Sequence, residues 1–225
     1  MDNVSFGGCE PCKFVKFMSF AMSRIRNLYY LKSFGVEFVS KELKFQSIQS
    51  DFANLKATVS SCELCALSKK REKPLIESEF KTAKVMIVDS FASKDESKSG
   101  ILLACQRGEI LLNAIKSTLG LEKSEIYMSY VYKCFCGGKN DALARQRCLP
   151  YLWREFELVK PRVLLILGED SFENLGFDDF KRLRGELFTH KNAWIMPSFS
   201  LEFVLKNPSF EKEFIDDLNK IKGLL

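Results

Sequence analysis

Cysteines are the residues of this sequence with the most specific chemistry. Cys62 and Cys65 form a Cys-x-x-Cys pair, Cys134 follows an apolar run, and Cys148 comes later in a basic stretch. Four such thiolates suit a tetrahedral zinc ion or a cubane iron–sulfur cluster. Disulfides and thiols buried as small hydrophobic groups are the alternatives. The long gap after Cys65 differs from zinc fingers and ribbons, in which two close pairs are usual.

Four further cysteines fall outside this set. Cys105 fits a buried hydrophobic side chain, Cys136 is an extra thiol, and Cys9 and Cys12 belong to the amino-terminal segment. The sequence has no apolar run long enough to span a membrane, and its start lacks a signal-peptide core, so we expect a cytoplasmic protein with no membrane partner. In a reducing cytosol, closely spaced thiols are more often metal ligands than disulfides.

The composition is that of an ordinary globular protein, with 46% hydrophobic and 28% charged residues. A net charge of +5 is compatible with DNA binding but indicates it only weakly. The pattern predicts a basic and aromatic helical extension over residues 1–45 and one domain over residues 46–225. We expect a monomer.

Four short apolar runs within this domain have the length of buried strands: 84–88, 126–131, 163–167 and 193–196. Helical patterns separate them. Such alternation predicts an α/β fold with a mostly parallel sheet and helices on both faces. Ligands of such sheets bind at the carboxyl ends of the strands, so the loops after these four runs are the places to look for a site.

Seven stretches carry a family resemblance in their order and spacing. They are "SSCELCALSKKR", "KVMIVDSFASKDESKSG", "IYMSYVYKCFCGG", "RCLPYL", "KPRVLLILGED", "RGELF" and "IMPSFSLEFVLKNP". From about residue 55 to 222 the chain resembles the iron–sulfur uracil-DNA glycosylases of the family 4 type. The resemblance implies a three-layer α/β/α sandwich with a four-stranded parallel sheet. It also implies that Cys62, Cys65, Cys134 and Cys148 hold a [4Fe–4S] cluster.

The three loops that carry the chemistry in this family differ here. The leaving uracil develops negative charge, so the site needs donors for its oxygens and a carboxylate near the attacking water. The glutamate position of the family holds Ser90, the asparagine position holds Tyr130, and the histidine position holds Ser200. Losing one donor typically costs about 2.7–4 kcal/mol of barrier. We therefore expect activity to be weakened, altered or lost, and Tyr130 to pack within or plug the pocket.

The nearest substitutes for the missing groups are weak. Asp89 or Glu96 could position water, and Ser198 or Ser200 could donate to the base. Asp89 stands one residue from the glutamate position and is expected to face the other side of the strand. The simplest interpretation of these acids is solvated loop charge. His190, the one histidine of the sequence, is predicted to lie in a turn far from the site.

The DNA-facing features are better preserved. Lys133, Arg184 and Lys206 match basic positions of the family, and Leu201 or Phe203 could act as a wedge in the duplex. Further basic residues surround the cysteines: Lys69, Lys70, Arg71, Lys73, Arg145 and Arg147.

Three hypotheses follow. The first is a DNA glycosylase of base-excision repair with weakened, altered or lost activity on uracil or another deaminated base. The second is a non-catalytic DNA- or partner-binding module that keeps the scaffold and cluster. The third is a zinc protein that uses the same four cysteines.

Overall fold

A computed structural model describes residues 48–225, so the predicted extension over residues 1–45, with Cys9 and Cys12, lies outside the described residues. The strands are β1 Val85–Asp89, β2 Ile126–Tyr130, β3 Val163–Leu167, β4 Phe188–His190 and β5 Ala193–Ser198. The helices are α1 Ile48–Ser60, α2 Lys94–Ser99, α3 Gln106–Leu119, α4 Ala142–Val159, α5 Glu169–Asn174, α6 Phe180–Leu183, α7 Leu201–Lys206 and α8 Glu211–Lys222. Over this described part of the chain, no helix combines the length and apolar character needed to cross a membrane.

The sheet has the order β2-β1-β3-β5-β4. The first four of these strands run parallel, as the apolar runs predict, and the registers align their carboxyl ends: Asp89 pairs with Tyr130 and Leu167, and Leu167 pairs with Ser198. Every residue of β1, β2 and β3 is buried, which explains why these strands are continuous apolar runs. The predicted parallel sheet is confirmed.

The short strand β4 is the part of the sheet that the sequence does not predict. It pairs antiparallel with β5 at the sheet edge, and its three residues are half-buried or exposed. His190 ends this strand rather than lying in a turn, with its ring 5.2 Å from that of Phe177 and 5.9 Å from that of Trp153. A three-residue edge strand needs no apolar run, so hydrophobic periodicity cannot reveal it.

Two apolar clusters cover the two faces of the sheet and make the three layers. One joins α1 and α4 to side chains such as Met86 and Leu164, and the other joins α3 and α8 to side chains such as Ile87 and Leu165. Neighbouring strand residues therefore point to opposite layers, as the pleat requires. The predicted three-layer α/β/α sandwich is confirmed, with the added strand β4.

A buried ion pair connects the end of β2 to α4. The Lys133 ammonium lies 2.5 Å from Glu155 Oε2, and both side chains are almost fully buried. Glu155 also accepts hydrogen bonds from the Ser129 hydroxyl at 2.6 Å and the Tyr127 hydroxyl at 3.1 Å. A buried carboxylate is tolerated only when donors replace its water, and here three donors do so. This placement corrects the predicted DNA contact of Lys133, because its charge is enclosed and already neutralised.

We expect Lys133→Met to lower the free energy of unfolding by about 3–5 kcal/mol, because removing one partner leaves the Glu155 carboxylate buried without its counter-charge. Urea unfolding followed by circular dichroism measures this change. The matched control is Glu157→Ala, which removes the exposed Arg154–Glu157 pair and should change stability by no more than about 0.5 kcal/mol. Equal effects of the two substitutions would contradict the structural role of the buried pair.

Candidate active site and thiol cluster

A cleft of about 1030 Å³ opens at the carboxyl end of the parallel strands. It is lined by residues 89–93 after β1, Gly137 and Gly138 after β2, residues 167–171 after β3, and Phe199, Ser200, Glu202 and Phe203 after β5. Arg107, Phe180, Lys181, Arg184, Lys206 and Asn207 complete its walls. The predicted location of the site at this edge of the sheet agrees with the cleft.

The first residue after β3, residue 168, must be glycine. Gly168 has a φ of 86°, and a Cβ built on it would lie 2.9 Å from the Cβ of Ser200. The start of α7 can therefore approach the end of β3 only because residue 168 has no side chain. This close approach brings Ser200 to the cleft wall.

Asp89 is the carboxylate that the fold places in the cleft. It is the last residue of β1 and is 8% exposed, so the interpretation as solvated loop charge is wrong for this residue. Burial raises its pKa from 3.8 to about 6, although the Arg107 charge and the backbone N–H groups of Ser90 and Phe91 oppose the shift. The Ser90 N–H donates to Asp89 Oδ1 at 2.6 Å. The carboxylate thus turns back onto the following loop and joins the cleft lining, where the strand pattern alone would point it away.

Ser90 lies beside Asp89 in a buried polar network. Its Oγ is 3.1 Å from the Ser171 Oγ and accepts a hydrogen bond from the Asn174 amide at 3.2 Å. Asn174 in turn accepts from Arg145 and donates to Asn140. Asn174 is the nearest side-chain amide to the glutamate position, and the sequence reasoning missed it because it ends a different element, α5.

Glu96 is fully buried and structural. Its Oε1 accepts from the Tyr130 hydroxyl and the Leu103 N–H, both at 2.6 Å, and its Oε2 accepts from the backbone and hydroxyl of Ser93, both at 2.8 Å. The bond from the Ser93 N–H, together with the Glu96 N–H that donates to Ser93 Oγ at 3.2 Å, forms a capping box at the start of α2. A carboxylate with four donors has no lone pair for catalytic water, which corrects the prediction of Glu96 as a water-positioning group. Tyr130 packs in the core, as expected.

The two serines of the fourth loop have different environments. Ser200 lines the cleft and caps α7 by accepting from the Phe203 N–H at 3.2 Å. Ser198 is buried, and its hydroxyl donates to Asp217 Oδ2 at 2.7 Å. Ser200 therefore still has a hydroxyl proton to donate, whereas the proton of Ser198 is committed to Asp217.

The predicted DNA-contacting residues also differ in their exposure. Leu201 is only 3% exposed and packs in the core, so it cannot act as a wedge in this conformation. Phe203 and Leu205 of the same helix are exposed, and Phe203 lies on the cleft wall. The short helix α7 buries two apolar residues, Leu201 and Val204, and exposes Phe203 and Leu205, which a sequence window this short does not reveal.

Arg184 and Lys206 lie on the cleft wall with their charges paired. Arg184 contacts Asp217 at 3.1 Å and Glu213 at 3.2 Å and covers the Phe199 ring at 4.5 Å. Lys206 contacts Glu202 at 2.6 Å. Both side chains keep exposed surface toward the cleft, so phosphate contacts by them stay a prediction.

Four thiols from three segments of the chain come together. Cys62 and Cys65 follow α1, Cys134 follows β2, and Cys148 lies in α4. Burial raises the pKa of Cys134, and the charges of Cys65 and Cys62 add to the effect. Burial also raises the pKa of Cys148 to about 11, with contributions from Cys134 and Cys65. The mutual influence of these thiols indicates that they share one electrostatic environment.

A guanidinium faces this group. Arg71 Nη1 lies 3.8 Å from Cys134 Sγ and donates to the Val59 backbone oxygen at 3.0 Å. This position of Arg71 differs from the solvated basic loop that its neighbours suggest. A fixed positive charge beside thiols lowers their pKa and favours the thiolate form that binds metals.

The donor chemistry fits an iron–sulfur cluster. Within residues 48–225, no group of three or more His, Cys, Asp or Glu side chains is arranged to hold a metal ion. A cubane cluster binds each cysteine through a different iron, so its ligands stand farther apart than those of a single ion. Two half-buried thiols, Cys62 and Cys65, and two buried ones, Cys134 and Cys148, with an adjacent guanidinium, supply the Cys₄ set that such a cluster needs.

Comparison with known proteins agrees with this fold. The sequence model of the Uracil DNA glycosylase superfamily matches residues 77–220, and the chain belongs to that superfamily. A type-4 uracil-DNA glycosylase of Sulfurisphaera tokodaii is 27% identical over 182 residues, which are 76% of this chain and 83% of that protein. The type-4 enzyme of Saccharolobus solfataricus is 24% identical over 74% of this chain and 83% of its own, and that of Pyrobaculum aerophilum is 26% identical over 77% and 94%.

We expect Asp89→Asn to stabilise the protein increasingly as the pH rises from about 4 to about 6. In this window the folded carboxyl group, with its pKa raised from 3.8 to about 6, keeps a proton that the unfolded chain has released. Wild-type stability therefore falls as the pH rises, by up to about 3 kcal/mol for a shift of this size. Asparagine lacks the charge and keeps one acceptor for the Ser90 N–H.

Urea unfolding at pH 4, 5, 6 and 7 measures this difference. The control is Asp95→Asn, which neutralises an exposed acid in the first turn of α2 and should show no such dependence on pH. A stability difference between Asp89→Asn and wild type that stays constant over the four pH values would show that burial does not raise this pKa.

Proposed function

We propose that this protein is a DNA N-glycosylase of base-excision repair that removes uracil or another deaminated base. The observation that carries the proposal is the buried Asp89 carboxylate, with a pKa of about 6, in a cleft at the carboxyl ends of the parallel strands. A perturbed carboxyl group in such a cleft is typical of an active site. Membership of the superfamily and the names of the type-4 relatives support this reaction class.

The reaction that the cleft would support is hydrolysis of the bond between C1′ of deoxyribose and the base nitrogen. The target nucleotide leaves the duplex and enters the cleft. The C1′–N bond breaks with its electron pair on the base, a water oxygen bonds to C1′, and the water proton passes to the Asp89 carboxylate. The Ser200 hydroxyl could donate to the base. Because Ser90, Tyr130 and Ser200 replace the usual groups, we propose that the activity is weak or altered in its preferred base.

The four cysteines Cys62, Cys65, Cys134 and Cys148 would hold a [4Fe–4S] cluster in this proposal. When bound, the cluster would link the loop after α1 to β2 and α4, while Arg71 would offset the negative charge of its thiolates. Cys136 and Cys105 would stay free. The cytoplasmic location, the monomeric state and the DNA contacts of Arg184 and Lys206 remain part of the same proposal.

The second candidate is a non-catalytic DNA- or partner-binding module. The observation that favours it is the Tyr130–Glu96 hydrogen bond of 2.6 Å, which holds in the core the residue that the resemblance aligns with the family's base-reading amide. In this case the cleft would bind an exposed nucleotide or a partner without cleaving a bond.

We expect protein purified without oxygen to be brown and to contain about four irons and four sulfides per chain, as a single [4Fe–4S] centre requires. Cys148→Ser should lose most of this iron, because a serine oxygen is a poor ligand for iron–sulfur clusters. The matched control is Cys136→Ala, which should keep the full content. Colourless protein with one zinc per chain would reject the cluster and favour the zinc hypothesis.

We expect uracil-, hypoxanthine- or xanthine-containing oligonucleotides to be cleaved after treatment with the protein and then with alkali. Asp89→Asn should slow the cleavage by about 10²–10⁴-fold, the usual contribution of a general base, whereas Asp95→Asn should not. The wild-type rate should rise as the pH increases through about 6, because only ionised Asp89 accepts the water proton. Salt-dependent binding with no cleavage of any base would favour the second candidate.

A further inference from the structure

Arg107 is a cation of the cleft that the sequence analysis did not select. It lies in the first turn of α3 and lines the cleft beside residues 89–93. Its Nη2 donates to the backbone oxygen of Phe91 at 2.8 Å, which anchors the guanidinium against the loop that follows β1. Because Phe91 stacks on Tyr132 with ring centroids 5.6 Å apart, this loop is itself held in place.

Within the described part of the chain, Arg107 forms fewer ion pairs than Arg184 and Lys206, the paired cations of the cleft wall. Arg184 contacts two carboxylates, and Lys206 contacts one. Among residues 48–225, Arg107 makes one hydrogen bond and no ion pair within 4.0 Å. The guanidinium has five N–H groups, so most of them remain available to a ligand. Burial lowers its pKa, but Asp89, Tyr130 and Glu96 raise it more, so Arg107 stays charged.

Cleavage of the C1′–N bond needs a group that stabilises the negative charge on the departing base. The base leaves with the electron pair of the broken bond and spreads the negative charge over its ring nitrogens and oxygens. Tyr130, which occupies the usual amide position, is buried and donates to Glu96, and Ser200 offers one neutral hydroxyl. A guanidinium only donates, and its fork matches two adjacent acceptors such as an oxo group and a ring nitrogen.

We propose that Arg107 is a catalytic residue that binds the oxo edge of the extruded base and stabilises its negative charge as the C1′–N bond breaks. The inference rests on the proposed function and deepens it. The electron pair stays on the base, whose oxygen accepts from the guanidinium; the water proton goes to Asp89; and the released anion then takes a proton from solvent. The substrate class is a deaminated base, in which an oxo acceptor replaces the exocyclic amino group; because a guanidinium only donates, the amino edges of cytosine and adenine are disfavoured.

The test uses the full chain with Arg107→Met and Arg107→Lys, and compares DNA containing uracil with DNA containing 5-fluorouracil. We expect Arg107→Met to lower the single-turnover rate on uracil by about 10²–10³-fold, as for loss of one charge-stabilising donor. The rate of Arg107→Lys should lie between those of wild type and Arg107→Met, because lysine keeps the positive charge but lacks the paired N–H donors of the guanidinium. The loss on 5-fluorouracil should be at least about tenfold smaller, since fluorine already stabilises the departing anion. The matched control is Arg162→Met, at the opposite end of β3, which should leave both rates unchanged.

Two results would overturn the proposal. One is an equal loss on both bases together with weaker, less salt-dependent binding to undamaged DNA, which would make Arg107 a phosphate contact. The other is retention of the wild-type rate on uracil by Arg107→Met. Because Arg107→Lys keeps the charge, it also guards against misfolding of the methionine variant, and thermal unfolding of both variants checks this.

If the wild type cleaves no base, the proposed function fails and binding decides the inference separately. Calorimetry with free uracil and free 5-fluorouracil should then give at least about tenfold tighter binding to wild type than to Arg107→Met, and tighter binding of 5-fluorouracil at alkaline pH. Such a result would keep Arg107 as the base-binding group of an inactive module. Binding of neither base, or equal binding to both proteins, would overturn it.

Discussion

The Lys133–Glu155 ion pair fixes the distance between the end of β2 and α4, and the placement of two thiols depends on it. Lys133 precedes Cys134 directly, and Glu155 lies two turns after Cys148 on the same buried face of α4. Burying two charges has a large desolvation penalty, which is offset only if every donor and acceptor stays in register. The pair therefore tolerates little movement of the strand against the helix, and Cys134 and Cys148 are held with it.

The number of hydrogen-bond donors also distinguishes two buried carboxylates, Asp89 at the end of β1 and Glu96 in α2. Glu96 receives four hydrogen bonds and locks α2 to Tyr130 and Leu103, so its charge serves the fold. Within residues 48–225, the donors to Asp89 are the backbone N–H groups of Ser90 and Phe91, and its pKa is raised because they do not fully replace water. Two acids seven residues apart thus have opposite roles, set by the number of donors that reach each one.

The sequence predicts the parallel strands and the edge of the cleft because both depend on local apolar runs and on a general rule for parallel sheets. It predicts neither β4 nor the burial of Leu201, since a three-residue strand and a six-residue helix give too short a pattern. The burial of Lys133 depends on Glu155, which is distant in the chain and reached only through folding. For this reason the match to a family position places Lys133 at the surface, although its partner Glu155 lies in the interior.

The location of the site is more robust than the identity of its chemical groups. The registers of β1, β3 and β5 end at Asp89, Leu167 and Ser198, so any chain with this sheet has a cleft at that edge. Within the cleft, a charged group is useful wherever its side chain reaches the same space, whichever element carries it. Asp89 stands one residue before the usual glutamate position, and Arg107 reaches the cleft from α3. The cleft is therefore charged although Ser90 and Ser200 in its wall are neutral, because a carboxylate and a guanidinium also line it.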